Sequence, residues 1–155
     1  MRLISLIVAA TFAAVPAGAI DLTGTWEGSF SCSEVDSGVK FKFTLKGEVL
    51  FITQVGSALN VQNLGFADIA GVAIDDASKP NEKGAVAMID CDTATDPTTG
   101  YGELANLRAK VNRAKGKGSL KGTSVYTSSG DTVGQCKWNF KLTDTADPGV
   151  AATCP

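Results

Sequence analysis

The chain has 155 residues, enough for one domain with a core of its own, and its fourteen basic and sixteen acidic side chains give a formal charge of −2. That balance excludes a dedicated nucleic-acid binder, whose phosphate contacts need a basic surplus. There is no histidine, which excludes Ser-His-Asp and Cys-His catalysis and histidine-ligated zinc or copper sites.

Met1 and Arg2 form a short positive head, and Leu3 to Val15 is an uncharged apolar run. Pro16 ends it, and Ala17, Gly18 and Ala19 supply the small residues that a signal peptidase reads. Residues 1–19 therefore read as a signal peptide, and residues 20–155 as a single domain. The run falls short of the about 20 apolar residues of a spanning helix. Losing Arg2 leaves thirteen basic against sixteen acidic side chains. No second long apolar run follows, so the mature chain is expected to be exported and not membrane-spanning, in a periplasm or outside the cell. Its four cysteines, Cys32, Cys91, Cys136 and Cys154, are an even count in an exported chain and read as two disulfides. No two lie close enough for a zinc pattern.

From Asp21 onward the apolar period is two. In the first strand Trp26, Gly28, Phe30 and Cys32 share one face, and Thr25, Glu27, Ser29 and Ser31 the other. Val39 to Leu45 alternates in the same way. Lys46-Gly47 and Gly56-Ser57 read as two-residue hairpin turns, with glycine supplying the positive φ. Together they pair Leu45 with Glu48, Phe43 with Leu50, Phe41 with Ile52, Gln54 with Leu59 and Ile52 with Val61. Both turns put Phe41, Phe43, Leu45, Leu50, Ile52, Leu59 and Val61 on one face. Val49 and Phe51 fall on the opposite face and mark it as covered or in contact. Further strands read over Asp68 to Ile74, Gly84 to Cys91, Glu103 to Arg113, Lys117 to Thr127 and Thr132 to Leu142. Turns fall at Lys115-Gly116 and Ser129-Gly130. The tail Thr145 to Pro155 is loose in composition and pinned at Cys154.

The fold class is all-β, an antiparallel up-and-down meander of eight or nine strands. Closing such a meander hides its edges, which favours a closed barrel over an open sandwich. Alternating strand directions put Cys91 and Cys136 toward one end, and Cys32 and Cys154 toward the other. The expected bonds are accordingly Cys91–Cys136 and Cys32–Cys154, among three possible connectivities.

Leu22-Thr23-Gly24-Thr25-Trp26 resembles the opening strand of the calycin barrels, the lipocalins and avidins, through its Gly-x-Trp. The resemblance spans five residues. It implies a barrel closed around a small apolar molecule, with Trp26 plugging one end. The chain departs from avidins in having only two tryptophans, and from lipocalins in having no helical pattern near its C-terminus.

The first candidate site is the barrel interior, where Gln54 and Asn63 point inward beside Val61, with Trp26, Tyr126 and Trp138 as walls. Core packing is the plain alternative for these residues. The second is the basic stretch Arg108, Lys110, Arg113, Lys115, Lys117 and Lys121, facing a protein or an anionic surface, or simply solvated. The third is the acidic group Asp75, Asp76, Glu82, Asp90, Asp92 and Asp96, whose spacing fits no calcium loop and suits ordinary turns. The fourth, a carboxylate pair drawn from Glu27, Glu103 and Asp68, has no motif behind it. The leading expectation is a non-enzymatic protein without a cofactor that binds a small apolar ligand in the barrel. The alternative is an interaction module, such as a secreted inhibitor or an adhesion or envelope structural protein, working through its exterior.

Overall fold

The structure, a computed structural model, describes residues 19–63, 67–91, 102–128, 132–152 and 154. The expected signal peptide up to residue 18, the expected turn at Ser129-Gly130, and Asp92 and Asp96 lie outside the described residues.

Eight strands follow one another: β1 Gly24–Asp36, β2 Val39–Val55, β3 Ala58–Asn63, β4 Ala67–Asp75, β5 Lys83–Asp90, β6 Gly102–Asn112, β7 Lys117–Ser128 and β8 Thr132–Asp144. Each pairs antiparallel with the next and β8 returns to β1, so the sheet closes into an up-and-down barrel. A single 3-10 turn, Arg113–Lys115, joins β6 to β7 and ends on Gly116 at the expected position. Among the described residues no helix is long and apolar enough to cross a membrane.

The two-residue alternation builds the core. Trp26 and Phe30 of β1, Leu50 and Ile52 of β2, Leu59 and Val61 of β3, and Leu120, Trp138 and Phe140 of the closing strands are all buried inside. Phe30 and Trp138 meet edge to face with ring centroids 4.6 Å apart, and Phe30 and Phe140 at 5.0 Å. At the end where the chain enters, Ile20 and Leu22 are fully buried and stop the barrel. Trp26 Nε1 donates to the Leu22 carbonyl at 2.9 Å, tying that plug to the first strand. Arg113 fastens the same segment from outside. Its guanidinium donates to the carbonyls of Thr23 and Thr145 and pairs with Asp21 at 3.2 Å.

The register after Gly56-Ser57 is as expected, with Gln54 opposite Leu59 and Ile52 opposite Val61. The hairpin expected at Lys46-Gly47 is a β-bulge instead. β2 runs unbroken through it, and the partners on β1 step from Gly28 opposite Glu48 to Ser29 opposite Lys46, leaving Gly47 as the extra residue. Gly47 has φ 74°, which glycine adopts without a steric penalty. Leu45 and Leu50 are an odd number of residues apart, yet both face inward. A hairpin or a one-residue bulge satisfies that parity equally. Consequently Phe43 pairs with Cys32 and Phe41 with Glu34, not with Leu50 and Ile52.

The disulfides are corrected with it. They are Cys32–Cys136 and Cys91–Cys154. With the supposed hairpin removed there are eight strands, and Cys32, Cys91 and Cys136 all lie toward the end opposite the plug. Barrel closure sets Cys32 directly across from Cys136, with Cα atoms 4.0 Å apart. The tail after β8 then climbs the outside. Asp147 accepts from the Thr53 hydroxyl at 2.6 Å, Val150 donates its N–H to the same oxygen, and residues 148–151 flank Phe51 and Gln62 before Cys154 reaches Cys91. Phe51 is thus partly covered, by the protein's own C-terminus.

Cys136→Ser is expected to cost about 2–5 kcal/mol of unfolding free energy, because the bond closes a loop of 104 residues. Cys154→Ser is expected to leave the barrel transition cooperative but to open the tail after Asp144 to protease. Urea unfolding and limited proteolysis with mass analysis separate the two outcomes.

Candidate functional site

The six residues expected to line a ligand pocket are spread along the barrel from one end to the other. Trp26 and Gln54 sit at the plugged end. The Gln54 side chain accepts from the Leu22 N–H at 2.9 Å and donates to the Gly56 carbonyl at 2.7 Å, so it holds the plug and the β2–β3 turn. Val61 is packed mid-barrel. Trp138 Nε1 donates to Ser124 Oγ at 2.9 Å, a buried pair that satisfies both groups. Asn63 and Tyr126 sit toward the far end, and the Asn63 amide oxygen is buried without a hydrogen-bond partner among the described residues. Between Ile69, Met88, Asp90, Glu103, Ala105 and Trp138 there is a gap too small for a water molecule. Among the described residues, the buried side chains of all eight strands meet in this interior.

The far end is the more polar one. Tyr126 donates to Glu34 Oε2 at 2.6 Å, and its ring lies flat against Gly134. A Cβ on Gly134 would fall 2.1 Å from the Tyr126 ring, so only glycine leaves room for it. Burial, then the Glu34 carboxylate, hold the Tyr126 hydroxyl well above the usual phenol range. Phe41 and Phe43 lie on the inward side of β2 at this end. They remain 46% and 38% exposed because β3 stops opposite Leu50 and leaves them without a facing wall.

The other candidate groups disperse. Glu27 and Asp68 face outward on β1 and β4 while Glu103 faces inward on β6, so the three carboxylates share no site. Asp75 and Asp76 cap the β4–β5 loop, accepting from the N–H groups of Asn81 and Ser78, which is turn chemistry. Of the basic stretch, Arg113 is committed to the plug, while Arg108, Lys110, Lys117 and Lys121 point outward from β6 and β7.

What the alternation does not announce is the other half of the exterior. Ile89, Leu104 and Val125 form one cross-strand row over β5, β6 and β7, continued on β4 by Ala70. Val55, Ala58, Val72 and Ala87 form the next row, and Ile74 opposite Ala85 the third. All these positions face outward and none is charged. Ile74 and Leu104 are about 60% exposed, and Val55, Val72, Ile89 and Val125 are exposed as well. Single exposed aliphatics are ordinary, but three adjoining rows make a contiguous apolar wall. The sequence signal was present in the Ile-Val-Leu residues at both parities of β4 to β7. It was missed because inward positions are assigned to the more apolar parity first.

A scan against family models, a search of curated proteins and a search of solved structures each return no match.

Gly134→Ala is expected to lower the melting temperature by several degrees, since either the Tyr126 ring or the strand must move. Tyr126→Phe carries a pH signature. The hydroxyl is held neutral in the folded state and released to a pKa of about 10 on unfolding, so its contribution is intact below about pH 10 and lost as pH rises beyond it. Stability measured from pH 8 to 11.5 is expected to fall less steeply in the variant than in the wild type.

Proposed function

We propose that the protein is an exported binding module that acts through the outside of a filled barrel, engaging another protein, rather than by enclosing a cargo or by catalysis. Two disulfides suit an oxidising compartment, and the leader-like residues 1–19 favour a periplasm or the extracellular space.

One observation carries the reading. The outward residues Ala70, Ile89, Leu104 and Val125, then Val55, Ala58, Val72 and Ala87, then Ile74 and Ala85, lie in three adjoining rows without a charge, the composition of an interface core rather than of a solvated barrel wall. An interior filled with Trp26, Val61, Trp138 and their neighbours favours a scaffold over a container. A ligand inside would have to displace buried core side chains. The absence of histidine from the sequence supports binding over catalysis.

Native mass spectrometry of the protein purified from its own source is the deciding measurement. The expected result is a complex with a second polypeptide that Val72→Lys and Leu104→Lys abolish without lowering the melting temperature by more than about 4 °C. A small molecule released only on denaturation, and retained in both variants, would instead support the interior-ligand reading and overturn this one.

A further inference from the structure

The rest of the exterior has the opposite character. From Arg108 on β6 a row of outward cations runs through Lys121 on β7 and Lys141 and Lys137 on β8 to Lys46 and Lys42 on β2. All are exposed. Among the described residues the one ion pair is Arg113–Asp21, so none of these cations is in contact with a carboxylate, although Arg108 lies within electrostatic reach of Asp76 and Glu27 stands directly opposite Lys141. Like charges even face each other across the ladder, Arg108 opposite Lys121 and Lys83 opposite Lys110, an arrangement that costs stability. In a chain with a net negative charge this is segregation of charge, not an excess of it.

The spaces between the cations are filled by Ser29, Ser31, Thr44 and Asn139. Part of the band is an open groove of about 660 Å3 with Lys40, Lys42 and Lys137 on its walls and Ser31, Ser33 and Gln135 among them. We propose that this band is a binding site for an acidic polysaccharide, with lysine and arginine meeting carboxylate or sulfate groups and the hydroxyl and amide side chains meeting sugar hydroxyls.

Shape and composition select this ligand among polyanions. The band covers β6, β7, β8, β1 and β2, five of eight strands, so it bends around more than half of the barrel. A flat bilayer touches only the strands that face it, whereas a flexible chain follows the curve. Single-stranded nucleic acid is held by successive aromatic side chains between the cations, whereas among the described groove residues the aromatic is Phe43 alone, on the inward side of β2, and the outward positions from Arg108 to Lys42 carry none. This site is separate from the apolar wall and does not depend on it.

The test uses the mature protein with fluorescently labelled dextran sulfate and polygalacturonate, with neutral dextran, phosphatidylglycerol vesicles and oligo-dT as comparisons. Binding to the two acidic polysaccharides and not to dextran is expected, weakening by about tenfold or more between 50 and 200 mM salt as counterions are retained. Lys121→Glu/Lys137→Glu is expected to weaken binding about tenfold or more at low salt. Lys121→Arg/Lys137→Arg and the off-band Lys79→Glu are expected to keep it, all with unchanged near-ultraviolet circular dichroism. Wild-type affinity in the charge-reversed variant would overturn the site. Equal or tighter binding to the vesicles or to oligo-dT would overturn the ligand class.

Discussion

Closure of β1 on β8 is the constraint on which the rest of this molecule depends. It places the first strand beside the last, so that Cys32 meets Cys136 and Phe30 meets Trp138 across the seam. Without it β1 and β8 would each present an unpaired edge. Closure also decides which side chains have an inside to occupy. Trp26, Phe30, Trp138 and Phe140 are buried because the two ends of the meander share one core.

A closed barrel of eight strands has a narrow interior, and here the buried side chains of all eight strands meet in it. That turns attention outward, where the two halves of the surface divide by chemistry. One part, in short rows running over β2 to β7, is apolar, and it meets the cations where Ala85 stands opposite Arg108. The other, centred on β8 and β1, is lined with cations separated by hydroxyls and amides. Several acidic side chains lie at the barrel ends and loops, as with Asp75 and Asp76 at their turn and Glu34 bonded to Tyr126. The C-terminal tail adds a third feature, covering Phe51 on β2 and bolted to the end of β5 by Cys154.

The mistaken connectivity shows how one local ambiguity propagates. Gly47 has the residue type and the φ of a hairpin turn, and the inward pattern on both sides of it demands a change of parity. A bulge meets both demands without reversing the chain. Reading it as a reversal adds a strand, inverts the direction of every later strand, and moves Cys91 and Cys136 to the wrong end. The alternation within each strand is untouched by that error, which is why Ile52 opposite Val61 and the inward set of β8 come out as expected.

The sequence by itself determined the all-β class, the meander, most strand boundaries, the inward residues and the number of disulfides. Each of these follows from a period of two and from turn residues, which are properties of neighbours along the chain. That Gln54 and Trp26 bond to Leu22 and Tyr126 to Glu34, which cysteines meet, and that outward aliphatics and lysines from distant strands gather into patches were decided by the tertiary structure alone. Those outcomes depend on cross-strand register and on closure, which join residues as far apart as Thr25 and Asp144, and no local pattern encodes the pairing of strands that distant.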